Sequence, residues 1–138
     1  KKIKTEYSKR PLSKKKIQKK ILEKFNNISL TLIAGNTIKT LKKFSLKRKK
    51  IDFIFIDGGH SIKTIRHDWN NVKKLLKKRS VVIFDDYYHD INISKKYGCK
   101  NIIDNLNNKF EIKFLPSKDQ ILFGNKKILN SLVLVKYK

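Results

Sequence analysis

The chain has 138 residues, about the length of one domain, and its 39% hydrophobic content suffices for a modest core. No stretch reaches the roughly 18 apolar residues that span a membrane, and residues 1–20 lack the apolar centre of a signal peptide. Cys99 is the single cysteine, which excludes an internal disulfide and points to a reducing, cytoplasmic setting.

The net charge of +24 suggests a polyanion partner. Of the 35 basic residues, however, only Arg10, Arg48, Arg66 and Arg79 are arginine, the residue that phosphate and base recognition favours for its bidentate fork. Isoleucine and asparagine are abundant, while Ala34 is the sole alanine. That bias follows A/T-rich codons, so composition accounts for much of the charge. No aromatic residues alternate with the lysines to make a stacking platform. A basic, non-catalytic nucleic-acid-binding domain is therefore the alternative, not the leading reading.

Residues 1–12 are polar and unpatterned and end near Pro11. Ser13 suits a helix N-cap, and Ile17, Ile21, Leu22 and Phe25 predict an amphipathic helix over 14–26. The apolar run 28–34 reads as a strand leaving through Gly35-Asn36. Ile38, Leu41 and Phe44 predict a short helix over 37–45, and residues 47–50 a charged turn. Residues 51–56 read as a strand buried on both faces, as in a parallel sheet. Ser61 can cap a helix whose face is Ile62, Ile65, Trp69, Val72 and Leu76, running to about 78. A second buried strand covers 80–84, and 88–98 reads as a loop with a short helix. A helix over 101–108 and strands over 110–115 and 132–137 complete the order, with a polar connection between the two strands. Alternating strands and helices predict an α/β fold in which helices cover a parallel sheet, with the last two strands an antiparallel pair at one edge.

Ligands of open α/β sheets bind at the carboxyl ends of the strands. Asp57 ends one predicted strand, and Asp85 and Asp86 end the next. Neighbouring strands lie about 4.8 Å apart, and three carboxylates that close cannot all ionise unaided. A divalent cation such as Mg2+ would resolve the repulsion. His60 and His89 follow these acids, and either can accept a proton near neutral pH. The bland alternative is that each acid caps the helix after it. His67 reads as structural or solvent-facing, Trp69 as core, and Cys99 as a small buried or partly buried residue. Tyr87 and Tyr88 either shape a pocket or pack.

The segment IDFIFIDGGHSIKTIRHDWNNVKKLL, followed by VVIFDDY, resembles class I S-adenosylmethionine-dependent methyltransferases. Within that class it is similar to the group with an IDGxHxY motif followed by FDDY, methyltransferase family 24. The resemblance covers roughly residues 15–138. It implies a Rossmann-like sheet of order 3-2-1-4-5-7-6, with 28–34 as the third strand, 51–56 the fourth and 80–84 the fifth. The family's first two strands, with their glycine-rich loop and ribose-holding acid, have no counterpart here: the chain contains no GxG and no methionine. The expectation is a methyltransferase domain that is incomplete at its amino end. Such a piece would have a bare strand edge, marginal stability and weak cofactor binding of its own.

The resemblance implies that Gly35, Asn36, Asp57 and Gly58 contact S-adenosylmethionine, that Asp57, Asp85 and Asp86 hold the metal, and that Asp57 or His60 acts as base. The acceptor implied is a small-molecule or sugar hydroxyl. Three positions depart from the family pattern. Asn36 replaces an acid, Ile62 replaces a tyrosine, and Lys78-Arg79-Ser80 replaces a Pro-Gly-Gly turn. A variant of the same reading drops the metal and leaves the acids to orient cofactor and acceptor. A receiver domain also gathers strand-end aspartates, but there the paired acids precede the single one, the reverse of the order here.

Overall fold

A computed structural model describes residues 13–45, 50–116 and 119–138. The expected irregular segment 1–12 and most of the charged turn 47–50 lie outside the described residues. The span 1–138 contains two compact units, Lys1–Asn36 and Thr37–Lys138.

In the first unit, α1 (Lys14–Lys24) starts where Ser13 accepts a hydrogen bond from the Lys16 N–H at 3.3 Å. This satisfies one of the donors that a helix start leaves unpaired. The Phe25 N–H closes the last turn on the Ile21 carbonyl at 2.8 Å. The strand expected over 28–34 does not form, and Ile28 and Ile33 are exposed. Apolar, β-branched composition is not enough for a strand. A strand is made by its ladder partner, and among the described residues none pairs with this segment.

The second unit holds α2 (Thr37–Ser45), β1 (Ile51–Ile56), α3 (Ile62–Val72), β2 (Leu76–Tyr88), α4 (Ile91–Ser94), α5 (Lys100–Ile103), β3 (Phe110–Phe114), β4 (Asp119–Phe123) and β5 (Lys126–Tyr137). Its sheet has the order β1-β2-β5-β3, with β4 also paired to β5. β1 and β2 are parallel, and all pairings of β5 are antiparallel. This is the expected 4-5-7-6 half of the Rossmann-like sheet, with its antiparallel end.

Three boundaries move. The helix expected to reach 78 stops at Val72, passes through one 3₁₀ turn and becomes strand at Leu76. Leu76 is buried because it pairs with Ile51, not because it continues the helix face. The Ser80 hydroxyl fixes the entry by donating to the Ile51 carbonyl at 2.7 Å and accepting from the Lys77 N–H at 2.8 Å. The helix expected over 101–108 shortens to α5. The connection expected after Pro116 contains β4, a tight turn at Gly124-Asn125 and the first half of β5. Gly124 has φ +65°. A Gly-Asn pair between two apolar runs is the sequence mark of such a hairpin.

One face of the sheet carries the core. Ile56, Val82, Phe84, Val133 and Val135 are all less than a tenth exposed and pack against Ile65, Trp69 and Val72 of α3 and Ile102 and Ile103 of α5. Trp69 sits between Phe84 and Phe110, with ring centroids 5.5 and 5.3 Å away. Removing such a side chain costs about 3–5 kcal/mol. On β1 the alternate residues Phe53 and Phe55 are 56% and 51% exposed. The strand expected to be buried on both faces is therefore covered on one only.

Candidate active site

Ile56 of β1 is in register with Phe84 of β2. Asp57 and Asp85, the next residues, therefore leave the same end of the sheet, and the predicted convergence of strand ends holds. The register between β2 and β5 then shifts between Phe84 and Tyr87. Within that irregularity Asp86 takes φ +64°, the left-handed region. A bulge of this kind re-aims a side chain, and Asp is one of the few non-glycine residues that tolerate it.

The re-aimed Asp86 carboxylate is the centre of the site. The side chain is 9% exposed, and its Oδ2 lies 2.5 Å from Nδ1 of His60. The Tyr88 hydroxyl donates to Oδ1 at 2.6 Å. Burial first, and then this carboxylate, push the Tyr88 phenol far above its ordinary pKa, so it stays a donor. The His60 side chain is 51% exposed, so its Nδ1 faces the acid while the rest of the ring reaches solvent. With Nδ1–H donating to the carboxylate, Nε2 carries the free lone pair.

Backbone bonds fix the dyad. The Gly98 N–H donates to the His60 carbonyl at 2.8 Å and the Cys99 N–H to the Asp86 carbonyl at 2.9 Å. Gly98 has φ +80°, and a Cβ there would lie 2.3 Å from the Asp86 carbonyl oxygen. Only glycine fits. The sequence reading passed over Gly98, although a glycine in a loop between two polar elements was a usable signal. Cys99 is fully buried, as expected, and burial pushes its thiol well above the usual range. It is an inert wall.

The other candidates sort themselves. His89 does not join the dyad; its Nε2 lies 3.0 Å from the Ser131 hydroxyl on β5, and its ring meets Tyr87 edge-on. Tyr87 and Tyr88 are both buried, and Tyr87 donates to Asp104 at 2.9 Å. His67 is half-buried beside Asn71, which donates to its carbonyl at 2.8 Å. Asp57, Gly58 and Gly59 are exposed at the end of β1. Beneath Gly58 lies Asp68, 5% exposed, with Oδ1 buried and without a hydrogen-bond partner. Gly35 and Asn36 close the first unit, with Gly35 at φ +130°.

The expected metal triad does not fit. Both Asp86 oxygens are engaged by His60 and Tyr88, and Asp85 Oδ1 accepts from the Asp86 N–H and from Asn130. Among the described residues no three acid, histidine or cysteine side chains are grouped to hold a metal ion. The bulge brings Asp86 to His60. The part of the cofactor site expected on the second unit fits better: an exposed carboxylate, an exposed glycine pair and a buried acceptor without a partner lie at the strand end.

A methyltransferase-domain family matches residues 5–87, more than half of the chain. The chain belongs to this methyltransferase family. Three solved structures share its fold. An O-methyltransferase from Bacillus cereus in complex with SAH is 19% identical over 93% of this chain and 60% of its own, with a TM-score of 0.61. An rRNA methylase from Streptococcus thermophilus is 12% identical, over 91% and 71%, with a TM-score of 0.57. A precorrin-6y C5,15-methyltransferase from Geobacter metallireducens is 14% identical, over 87% and 60%, with a TM-score of 0.52. The chain thus spans about 60% of the O-methyltransferase. No curated protein sequence matches it. Among the described residues no helix of this methyltransferase-family chain is long and apolar enough to cross a membrane.

Proposed function

We propose that this chain carries the acceptor side of an S-adenosylmethionine-dependent O-methyltransferase, with His60 as general base. The observation that carries the reading is the His60–Asp86 pair at the carboxyl ends of two parallel strands in a methyltransferase-family chain. S-adenosylmethionine supplies an electrophilic methyl group on a sulfonium. Asp57 and Gly58 are the residues of the second unit that would hold it.

His60 Nε2 would take the proton of the acceptor hydroxyl, making its oxygen nucleophilic toward the methyl that the bound cofactor would supply by breaking its S–C bond and leaving as the thioether S-adenosylhomocysteine. Asp86 holds the ring in the tautomer that leaves Nε2 free and stabilises the imidazolium that forms. Tyr88 keeps the carboxylate in place from its other oxygen. The acceptor is the hydroxyl of a small molecule or a sugar, and no metal is needed for its activation.

The test is methyl transfer from labelled cofactor to a panel of hydroxyl acceptors, with His60→Gln compared to the parent. The variant should lose about 10²–10⁴-fold in kcat with cofactor affinity unchanged, and EDTA should have no effect. Retained activity in His60→Gln overturns the base assignment. Loss of activity with EDTA overturns the metal-free mechanism.

A further inference from the structure

A groove of about 580 Å³ borders the amino end of α3 and the segment after α4. Lys63, Arg66, Lys95 and Lys96 line it, and no acidic side chain does. Elsewhere in the second unit three lysines sit on carboxylates: Lys77 on Asp52, Lys100 on Asp104, and Lys126 on Asp90. Among the described residues, Lys63, Lys95 and Lys96 take part in no ion pair and are exposed. A lysine-rich composition alone scatters charge over a surface. Here four cations converge on one concavity that the acids avoid.

The groove is also built. The Ile62 N–H donates to the Lys96 carbonyl at 3.3 Å, and Ser61 bridges to Tyr97, so the two walls are tied together. Arg66 reaches Asn101 at 2.6 Å and fixes the floor. Through Arg66, Asn70 and Asn101 the groove continues into a second one of about 470 Å³, whose far end includes Asn105. The track therefore runs from exposed cations to exposed amides. Cations meet phosphate oxygens, and amides offer both donors and acceptors to base edges and ribose hydroxyls. The amino-end wall begins one residue after Ser61, beside the loop that carries His60.

We propose that this track binds single-stranded RNA, the cations on its phosphates and the asparagines on its sugars and bases. RNA would then present the acceptor as a ribose hydroxyl, the sugar arm of the proposed acceptor class, a step that rests on the reading of His60 as base. The groove has no exposed aromatic platform, so affinity comes from phosphate contacts and falls steeply with salt.

Binding of a labelled 12-nucleotide oligoribonucleotide, followed by anisotropy from 50 to 200 mM KCl, tests the proposal. Lys63→Ala/Lys95→Ala/Lys96→Ala should weaken binding at least tenfold at the low-salt end. It should also flatten the slope of log affinity against log salt by roughly 2, at about 0.7 per single-strand phosphate contact. Lys113→Ala/Lys127→Ala/Lys136→Ala, with the same net charge, should lose less than threefold. Equal losses in the two triple variants overturn the proposal, as does complete displacement of the oligonucleotide by a nucleoside monophosphate. His60→Gln separates the two readings. Bound RNA that it no longer methylates supports both, and RNA methylated as fast as by the parent removes the base while leaving the groove.

Discussion

β2 contains two non-glycine residues in the left-handed region, one near each end: Arg79 at φ 69° and Asp86 at φ 64°. The same backbone cost, of order 1–2 kcal/mol, has two different origins. Arg79 is exposed, at the turn where the related family carries Pro-Gly-Gly, and its side chain makes no hydrogen bond or ion pair that holds it there. Asp86 is buried, and its strained backbone is what brings a carboxylate to His60 and Tyr88. Strain at the first end supports no side-chain contact among the described residues; at the second it sets the His60–Asp86–Tyr88 contacts.

Placing glycine at both positions breaks the comparison most directly. Asp86→Gly should lower methyl transfer by at least about 10²-fold, as expected for loss of the group orienting a general base. It also leaves the buried Tyr88 hydroxyl without an acceptor, worth about 1–3 kcal/mol. Denaturant unfolding and initial rates would show both losses, and a fully active Asp86→Gly would refute the dyad. Next in size is Gly98→Ala. Its Cβ meets the Asp86 carbonyl at 2.3 Å from a backbone at φ +80°. The cost should reach roughly 3 kcal/mol, seen as a lowered unfolding midpoint together with reduced turnover. Arg79→Gly should do the opposite of Asp86→Gly and stabilise the chain by about 1 kcal/mol, with rates unchanged.

The smallest expected effect concerns Asp68. Burial raises its carboxyl above the usual range, against the smaller pulls of the Thr37 hydrogen bond and of His67. A raised folded pKa means that the folded state binds more protons between the unfolded value, about 3.9, and the folded one. Stability therefore falls as pH rises through that window and stays lower above it. Asp68→Asn should melt higher than the parent at pH 7, and the gain should vanish below about pH 3.9. A constant difference across pH would show that charge is not the cause.

That Asp57 and Asp85 leave the same end of the sheet was legible because register follows from two apolar runs ending in acids. The pairing of His60 with Asp86 was not, since it depends on a bulge and on the backbone of Gly98 and Cys99, which come from a different loop. The three acids are not grouped for a metal among the described residues for a related reason: strand-end acids share an edge, but the positive φ of Asp86 goes with a side chain aimed at His60. The hairpin at Gly124-Asn125 carried a readable turn signal, obscured because Lys126 and Lys127 separate it from the apolar residues that follow. Residues 28–34 show the opposite limit, a sequence with strand composition and no described ladder partner. Phe53 and Phe55 look like core in the sequence because an apolar run does not record which faces are covered.

The segment between His89 and Lys95 leaves β2 at the site and returns to it, and both ends are pinned. The His89 N–H holds the Leu129 carbonyl at 3.1 Å, and the Lys96 carbonyl and the Gly98 and Cys99 N–H groups hold the other side. A stretch anchored in this way should tolerate changes of length and side chain between its pins, altering the neighbouring surface, while the His60–Asp86 pair it frames keeps its geometry.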